Sequence, residues 1–348
     1  MSQQQLYKFV TSLLPSWRKT RRVVLALGVQ GLIRNRRLTL TAIARGMDSP
    51  CRIIHRVKRL WRFLNNEAVD PRDAVGALTR QAFQVRSEGW VPVVMDETGL
   101  KDRATLLAAA VPYHGRALPL AMYAYAPQLL RKSLWAIREG LLSVIREALP
   151  EPDRRRLLLI GDRGYAASHF FRRLLKAQIA FVIRVPRKVL VHMACGSHCL
   201  ETLVADLEPG QWRILRGVRY GPLRARLNIV LWWQADQPEP WILATTLDSA
   251  AEARDYYRQR MGIEELFKDL KGSFALEACQ LATLTRITRA CLFISLALWA
   301  LALLVRCCRN WARFITVRGA LSFLSLALEW INSTPQQHRL LRAQAQSG

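Results

Sequence analysis

Between residues 91 and 185 the apolar positions come mostly in short unbroken runs, and before that stretch and from 251 onward they recur at helical spacing. VPVVMDETG, beginning at Val91, reads as a strand covered on both faces that stops at a carboxylate. TLLAAAVPYHGRALPLAMYAYA reads as two more strands joined at His114-Gly115. LLRKSLWAIREGLLSVIREA, 129–148, has a helical period, and RLLLIGDRGY, 156–165, repeats the first theme of an apolar strand ending in an acid. A short helix over 168–178 and the strand AFVIRV complete the series. Residues 187–248 are alternating and turn-rich, as in QWRILRGVRYG, LNIVLWWQ and PWILATTL, and read as a small β insertion. From 251 onward the pattern is helical again.

Three consecutive strands, a helix, a strand and a helix is the order of an RNase H-like sheet, whose ligands sit at strand ends. The predicted architecture is therefore α/β. A helical region over 1–85 precedes a mixed-sheet core over 86–186, a β insertion over 187–248, the rest of the core over 249–311, and a C-terminal helix and tail over 312–348. Residues 290–305, ACLFISLALWALALLV, form an apolar run between Arg289 and Arg306. Sixteen residues fall short of the roughly 20 that a spanning helix needs, so a buried core helix is expected and no membrane partner.

Charge changes the picture. Fifty-two Lys and Arg against 26 Asp and Glu leave +26, which calls for a polyanionic partner, nucleic acid before anionic lipid. Part of that charge lies in 39–64, where an Asp-Ser-Pro break divides two short amphipathic segments. The second carries Ile54, Val57, Trp61 and Leu64 on one side, with Arg52, Arg56, Arg59 and Arg62 on another. A helix-turn-helix with its arginine face on phosphates fits this pattern, and so does a helical bundle with a solvated basic face. The seven cysteines form no disulfide framework, and residues 1–20 lack the apolar centre of a signal peptide, which together suit a reducing cytoplasm.

The stretch YYRQRMGIEELFKDLK, 256–271, concentrates the candidate chemistry. On one continuous helix, with Tyr257 at zero, Arg260 lies at about −60°, Glu264 at about −20° and Lys271 at about −40°. Ile263, Leu266, Phe267 and Leu270 share an adjoining apolar arc, and Glu265 and Asp269 point elsewhere, at roughly 80° and 120°. Salt-bridged pairing on a solvated helix explains only part of that stripe. With the strand-terminal Asp96 and Asp162, Glu264 makes three carboxylates from separate elements, the oxygen ligands that a pair of Mg²⁺ ions takes in phosphodiester chemistry.

These residues resemble the DDE transposases of bacterial insertion sequences. That family's hallmark on the third-acid helix is Tyr, two residues, Arg, three residues, Glu, six residues, Lys, and Tyr257, Arg260, Glu264 and Lys271 match it in full. YxxRMxIEExFxDLK and PWILATxL are most similar to the branch that includes the tetracycline-transposon transposase, and MDETGLKDR, IGDRGY and HGRALPL also fit. The likeness runs over roughly 90–315.

The resemblance implies Asp96, Asp162 and Glu264 as catalytic metal ligands for two Mg²⁺ ions, with Mn²⁺ as a substitute. It implies Tyr257, Arg260 and Lys271 as holders of phosphates at the cut end, and Trp241 as the indole that stacks on a flipped base, with Trp232 and Trp233 as competitors. Arg163, after the second acid, would contact phosphate, and Gly164 would let DNA come close. The implied reaction is cut-and-paste transposition of an insertion sequence through hairpin ends. It would act on duplex DNA, both terminal inverted repeats and target, as a homodimer on paired ends, in a bacterial cytoplasm at the nucleoid. A metal-dependent nuclease or resolvase without strand joining, and a DNA-binding remnant that no longer cuts, are the alternatives. HMACGSHC, 192–199, invites a zinc reading, but eight residues do not easily wrap a tetrahedron.

Overall fold

The computed structural model describes residues 2–307 apart from 87, 102, 131 and 132, so the C-terminal helix and tail expected over 312–348 lie outside the described residues. Five helices come first: α1 (Gln3–Leu13), α2 (Lys19–Asn35), α3 (Leu40–Gly46), α4 (Ile53–Asn65) and α5 (Pro71–Val85). Capping side chains mark several starts. Ser2 and Gln5 form a reciprocal capping box on α1, Thr39 caps α3, and Asp70 with Pro71 opens α5.

Strands β1 (Val91–Leu100), β2 (Ala104–Tyr113) and β3 (Arg116–Tyr125) form an antiparallel meander. After α6 (Leu134–Glu147) and α7 (Glu151–Arg154), β4 (Leu157–Gly161) adds parallel to β1. After α8 (Ser168–Lys176), β5 (Ala180–Arg184) adds parallel to β4. Every residue of β4 is buried, as are Val91–Met95 and Ala180–Ile183, so these central strands are apolar on both faces.

The β insertion is not a separate module. After β6 (Leu190–Met193), β7 (Gly196–Cys199), α9 (Leu200–Ala205), β8 (Trp212–Tyr220) and β9 (Ala225–Trp232), strand β10 (Trp241–Thr245) pairs antiparallel with β5. The result is one ten-stranded mixed sheet in the order β3-β2-β1-β4-β5-β10-β9-β8-β6-β7. The sequence could not announce this union, because the strand that joins the two halves lies some 60 positions beyond β5.

The expected single helix over 256–271 is two helices, α10 (Ala250–Arg258) and α11 (Met261–Lys271). At the junction Gln259, Arg260, Gly262 and Ile263 donate their amides three residues back rather than four, which tightens the turn. α10 packs on β4, β5 and β10, and α11 on β3. Gly262 permits that approach: a Cβ there would stand 2.5 Å from the Arg116 carbonyl oxygen of β3, which is backbone and cannot step aside. Gly262→Ala should therefore cost about 1–3 kcal/mol in urea unfolding, with a larger proportional loss of activity as Glu264 shifts with its helix. Unchanged stability would show that α11 is free to rock.

The last described helix, α12 (Leu284–Cys307), carries the apolar run. It is long and apolar enough to cross a membrane, but its 18-residue apolar window is 83% buried within the protein. α12 lies between the N-terminal helices and the sheet. Trp299 donates to the Pro119 carbonyl and the Thr288 hydroxyl accepts from the Ala124 amide, both on β3. On the other side Phe293 meets Phe63 of α4 at 5.5 Å, and Arg289 donates to the carbonyls of Leu64 and Val69.

Candidate active site

Asp96 and Asp162 meet because of strand register. β1 and β4 run parallel and pair as far as Val94 opposite Ile160, and each aspartate lies two residues beyond that last pair. Asp96 continues β1, and its carboxylate accepts from the Glu97 amide at 2.8 Å. Asp162 begins a single 3₁₀ turn, with Oδ1 accepting from the Gly164 amide at 2.9 Å. A Cβ at Gly164 would crowd that same oxygen at 3.1 Å.

Glu264 arrives from the first turn of α11 and is tied to Asp96 by one guanidinium. Arg260 donates through Nη1 to Asp96 Oδ2 at 3.1 Å and through Nη2 to Glu264 Oε1. Burial pushes the Asp96 carboxyl up to about 6. The Glu97 amide and Arg260 oppose that rise, while the charges of Asp162 and Glu264 add to it. Among the described residues no group of three or more His, Cys, Asp or Glu side chains is placed so that it could hold a metal ion as it stands. The chemistry of the donor set nevertheless suits a hard divalent cation, since carboxylate oxygens alone supply it and two further acids lie near the buried Asp96.

Tyr257 is buried and Trp241 partly so, and their rings meet edge to face at 5.0 Å. Burial raises the Tyr257 hydroxyl, while a hydrogen bond and charge from Arg260 and the charge of Arg184 hold it back. Trp232 stacks instead on Trp212 and carries Arg254 over its ring, and Trp233 donates to the Gln237 carbonyl. Of the three indoles, Trp241 is the one against Tyr257. Lys271 pairs with Glu277 at 3.6 Å. Glu265 and Asp269 turn away from Glu264 to Arg116 of β3, at 3.7 and 2.5 Å, which locks α11 to the sheet.

Sequence reasoning missed the support behind the aspartates. Glu97 accepts from Arg138 Nε at 2.7 Å and from the Tyr125 hydroxyl at 2.8 Å. Arg138 also donates to the Gly164 carbonyl at 2.7 Å and lies over the Tyr165 ring at 4.2 Å. One buried cation thus spans the segments that follow both aspartates. Its signal was available: Arg138 shares the helical face of Leu142 and Ile145, where a charge without a buried acid would be costly.

At the N-terminal region Arg52, Arg59 and Arg62 are exposed. Arg59 and Arg62, with Arg21, His55 and Lys58, line a groove of about 300 Å³ between α2 and α4, and Arg52 is not among its lining residues. Arg56 departs from the expected phosphate-facing role. Its guanidinium donates to the carbonyls of Ala44, Met47, Ser49 and Cys51 and so ties the α3–α4 turn together. The apolar stripe is also rotated from the expected one. Leu60, Phe63 and Leu64 are buried, whereas Ile54 and Trp61 are exposed.

Residues 137–300 match a family model described as the transposase DDE domain, a span that includes Asp162 and Glu264 and begins after Asp96. No curated protein matches the chain. Among solved structures the chain is similar to a piggyBac transposase in a synaptic complex with hairpin DNA, determined by cryo-EM. The identity is 11%, the TM-score 0.46, and the match covers 95% of this chain and 76% of that one.

Proposed function

We propose that this chain, which carries a transposase DDE domain, excises a DNA segment at its terminal inverted repeats and joins the freed ends to target DNA. The observation that carries the reading is that Asp96 on β1, Asp162 just after the adjacent parallel β4, and Glu264 at the start of α11 are near enough for the charges of the other two to act on Asp96, with Arg260 bonded to both Asp96 and Glu264. In this reading the three acids hold two Mg²⁺ ions, or Mn²⁺ in their place. Such ions acidify a water and neutralise charge on a phosphodiester.

The protein's own groups divide the remaining work. Asp96 and Asp162 are oxygen donors fixed by backbone, and Glu264 becomes a third by releasing Arg260, which then turns to a phosphate of the DNA end. Tyr257 and Lys271 hold neighbouring phosphates, and Trp241 receives a base turned out of the stack. Arg52, Arg59 and the groove beside them bind duplex DNA away from the cut.

The first cleavage joins a water oxygen to phosphorus and releases a 3′-hydroxyl, which takes the proton. That hydroxyl attacks the opposite strand to give a hairpin, hydrolysis reopens it, and the 3′-ends finally displace 3′-oxygens in target DNA. Pairing of two ends calls for a homodimer, and bacterial cytoplasm is the proposed compartment.

Incubating the protein with the DNA that flanks its own gene, and Mg²⁺, tests the reading. Joined products are the expected result. Nicks without joining would replace it with a nuclease, and retarded but uncut DNA with a binding protein.

A further inference from the structure

Glu239, in the turn between β9 and β10, is shared by three arginines. Arg163 donates to it at 2.6 Å, Arg184 donates to the same oxygen, and Arg187 reaches its other oxygen at 3.3 Å. The three come from separate places. Arg163 follows Asp162, Arg184 ends β5, and Arg187 lies beyond it, so only the folded sheet brings them together. One carboxylate answers three cations and leaves a local excess of two positive charges. The donors are not exhausted either: Nε of Arg184 and of Arg187 is buried with no hydrogen-bond partner. Burial would raise the Glu239 carboxyl, yet the Arg163 hydrogen bond and the three positive charges hold it below the usual carboxylate range. The cluster borders the candidate site, since Arg163 adjoins Asp162 and Glu239 is two residues from Trp241.

We propose that Arg163, Arg184 and Arg187 form a binding site for a DNA backbone phosphate, and that Glu239 fills it in the free protein as a stand-in that the phosphate displaces. A carboxylate and a phosphate present similar oxygen pairs to an arginine fork, and three forks suit the more highly charged group better. Binding then exchanges an internal ion pair for an external one, so the glutamate lowers affinity for any duplex that does not reach this cluster well. The inference rests on the DNA reading of the neighbouring acids.

Fluorescence anisotropy of the full chain with a labelled duplex from the gene's flank, Ca²⁺ replacing Mg²⁺ and salt varied, tests it. Glu239→Gln should tighten binding by about three- to tenfold. Arg187→Gln should weaken it and lower the slope of log K against log salt by about one. In the double variant the gain from Glu239→Gln should shrink, because one of its receiving arginines is gone. A Glu239→Gln protein that melts earlier and binds no tighter, or an Arg187→Gln protein with an unchanged salt slope, would make the cluster a brace for the β9–β10 turn and overturn the proposal. If the unmodified chain binds no duplex, the DNA reading itself falls, a result distinguishable from the first two.

Discussion

Asp96→Asn should abolish strand cleavage and at the same time make the metal-free protein more stable at neutral pH. Both effects arise from one feature. Burial, with Asp162 and Glu264 nearby, lifts the Asp96 carboxyl to about 6 from the 3.8 of an unhindered aspartate. A folded-state value above the unfolded one means that ionisation opposes folding. The stability is therefore complete below about pH 4 and is lost as pH rises through 6. At pH 7.5 the cost is about 3 kcal/mol. Asparagine has no charge to bury, so the difference in stability between variant and parent should be small at pH 4 and grow to that size at pH 7.5, in chelator. Mg²⁺ should raise the melting temperature of the parent and not of the variant. Cleavage should fall by about a thousandfold or more, since several kcal/mol of charge stabilisation disappears with the ligand, while duplex binding persists. Glu264→Gln should lose cleavage to a similar degree. Normal cleavage in either variant would remove Asp96 or Glu264 from the reaction.

Arg138→Met should be the most damaging substitution outside the acids. It strands Glu97, which is largely buried, and releases the Gly164 carbonyl that keeps the Asp162 turn against β1. Removing one partner of a buried ion pair costs about 3–5 kcal/mol, which urea unfolding will read directly. Adding Glu97→Leu should recover much of the stability, because the unpaired charge goes too. It should not restore activity, and the Mg²⁺ concentration for half-maximal cleavage should stay at least tenfold higher than in the parent. Full recovery of metal dependence in the double variant would make the pair a matter of packing alone.

Much of this architecture was legible because its signals are local. A run of apolar residues ending in aspartate, twice over, predicted strands that stop at Asp96 and Asp162. β4 does end just before Asp162, whereas β1 continues past Asp96 to Leu100, so Asp96 lies where the buried part of the strand ends rather than at the strand's end. Angular arithmetic separated Glu264 from Glu265, and Arg116 takes the latter. The same arithmetic assumed a continuous helix, and the break at 259–260 arises from amide bonds three residues back, which periodicity does not report. Arg56 misled for a related reason. A helical wheel shows which way an arginine starts, and its long chain folded back to tie a turn five to twelve residues away by sequence. Glu97, Glu239 and the union of the β strands into one sheet depend on partners distant in sequence, and single-chain patterning carries no distances.

α12 has one more consequence. Its one side is bonded to β3 and its other to α4, so the basic groove and the three acids move as parts of a single body. On the proposed reading, in which α4 binds duplex DNA and the acids cut it, such a body would measure length: the spacing in base pairs between the two contacts would be fixed, and inserting one pair there would rotate the phosphate by about a tenth of a turn away from the carboxylates.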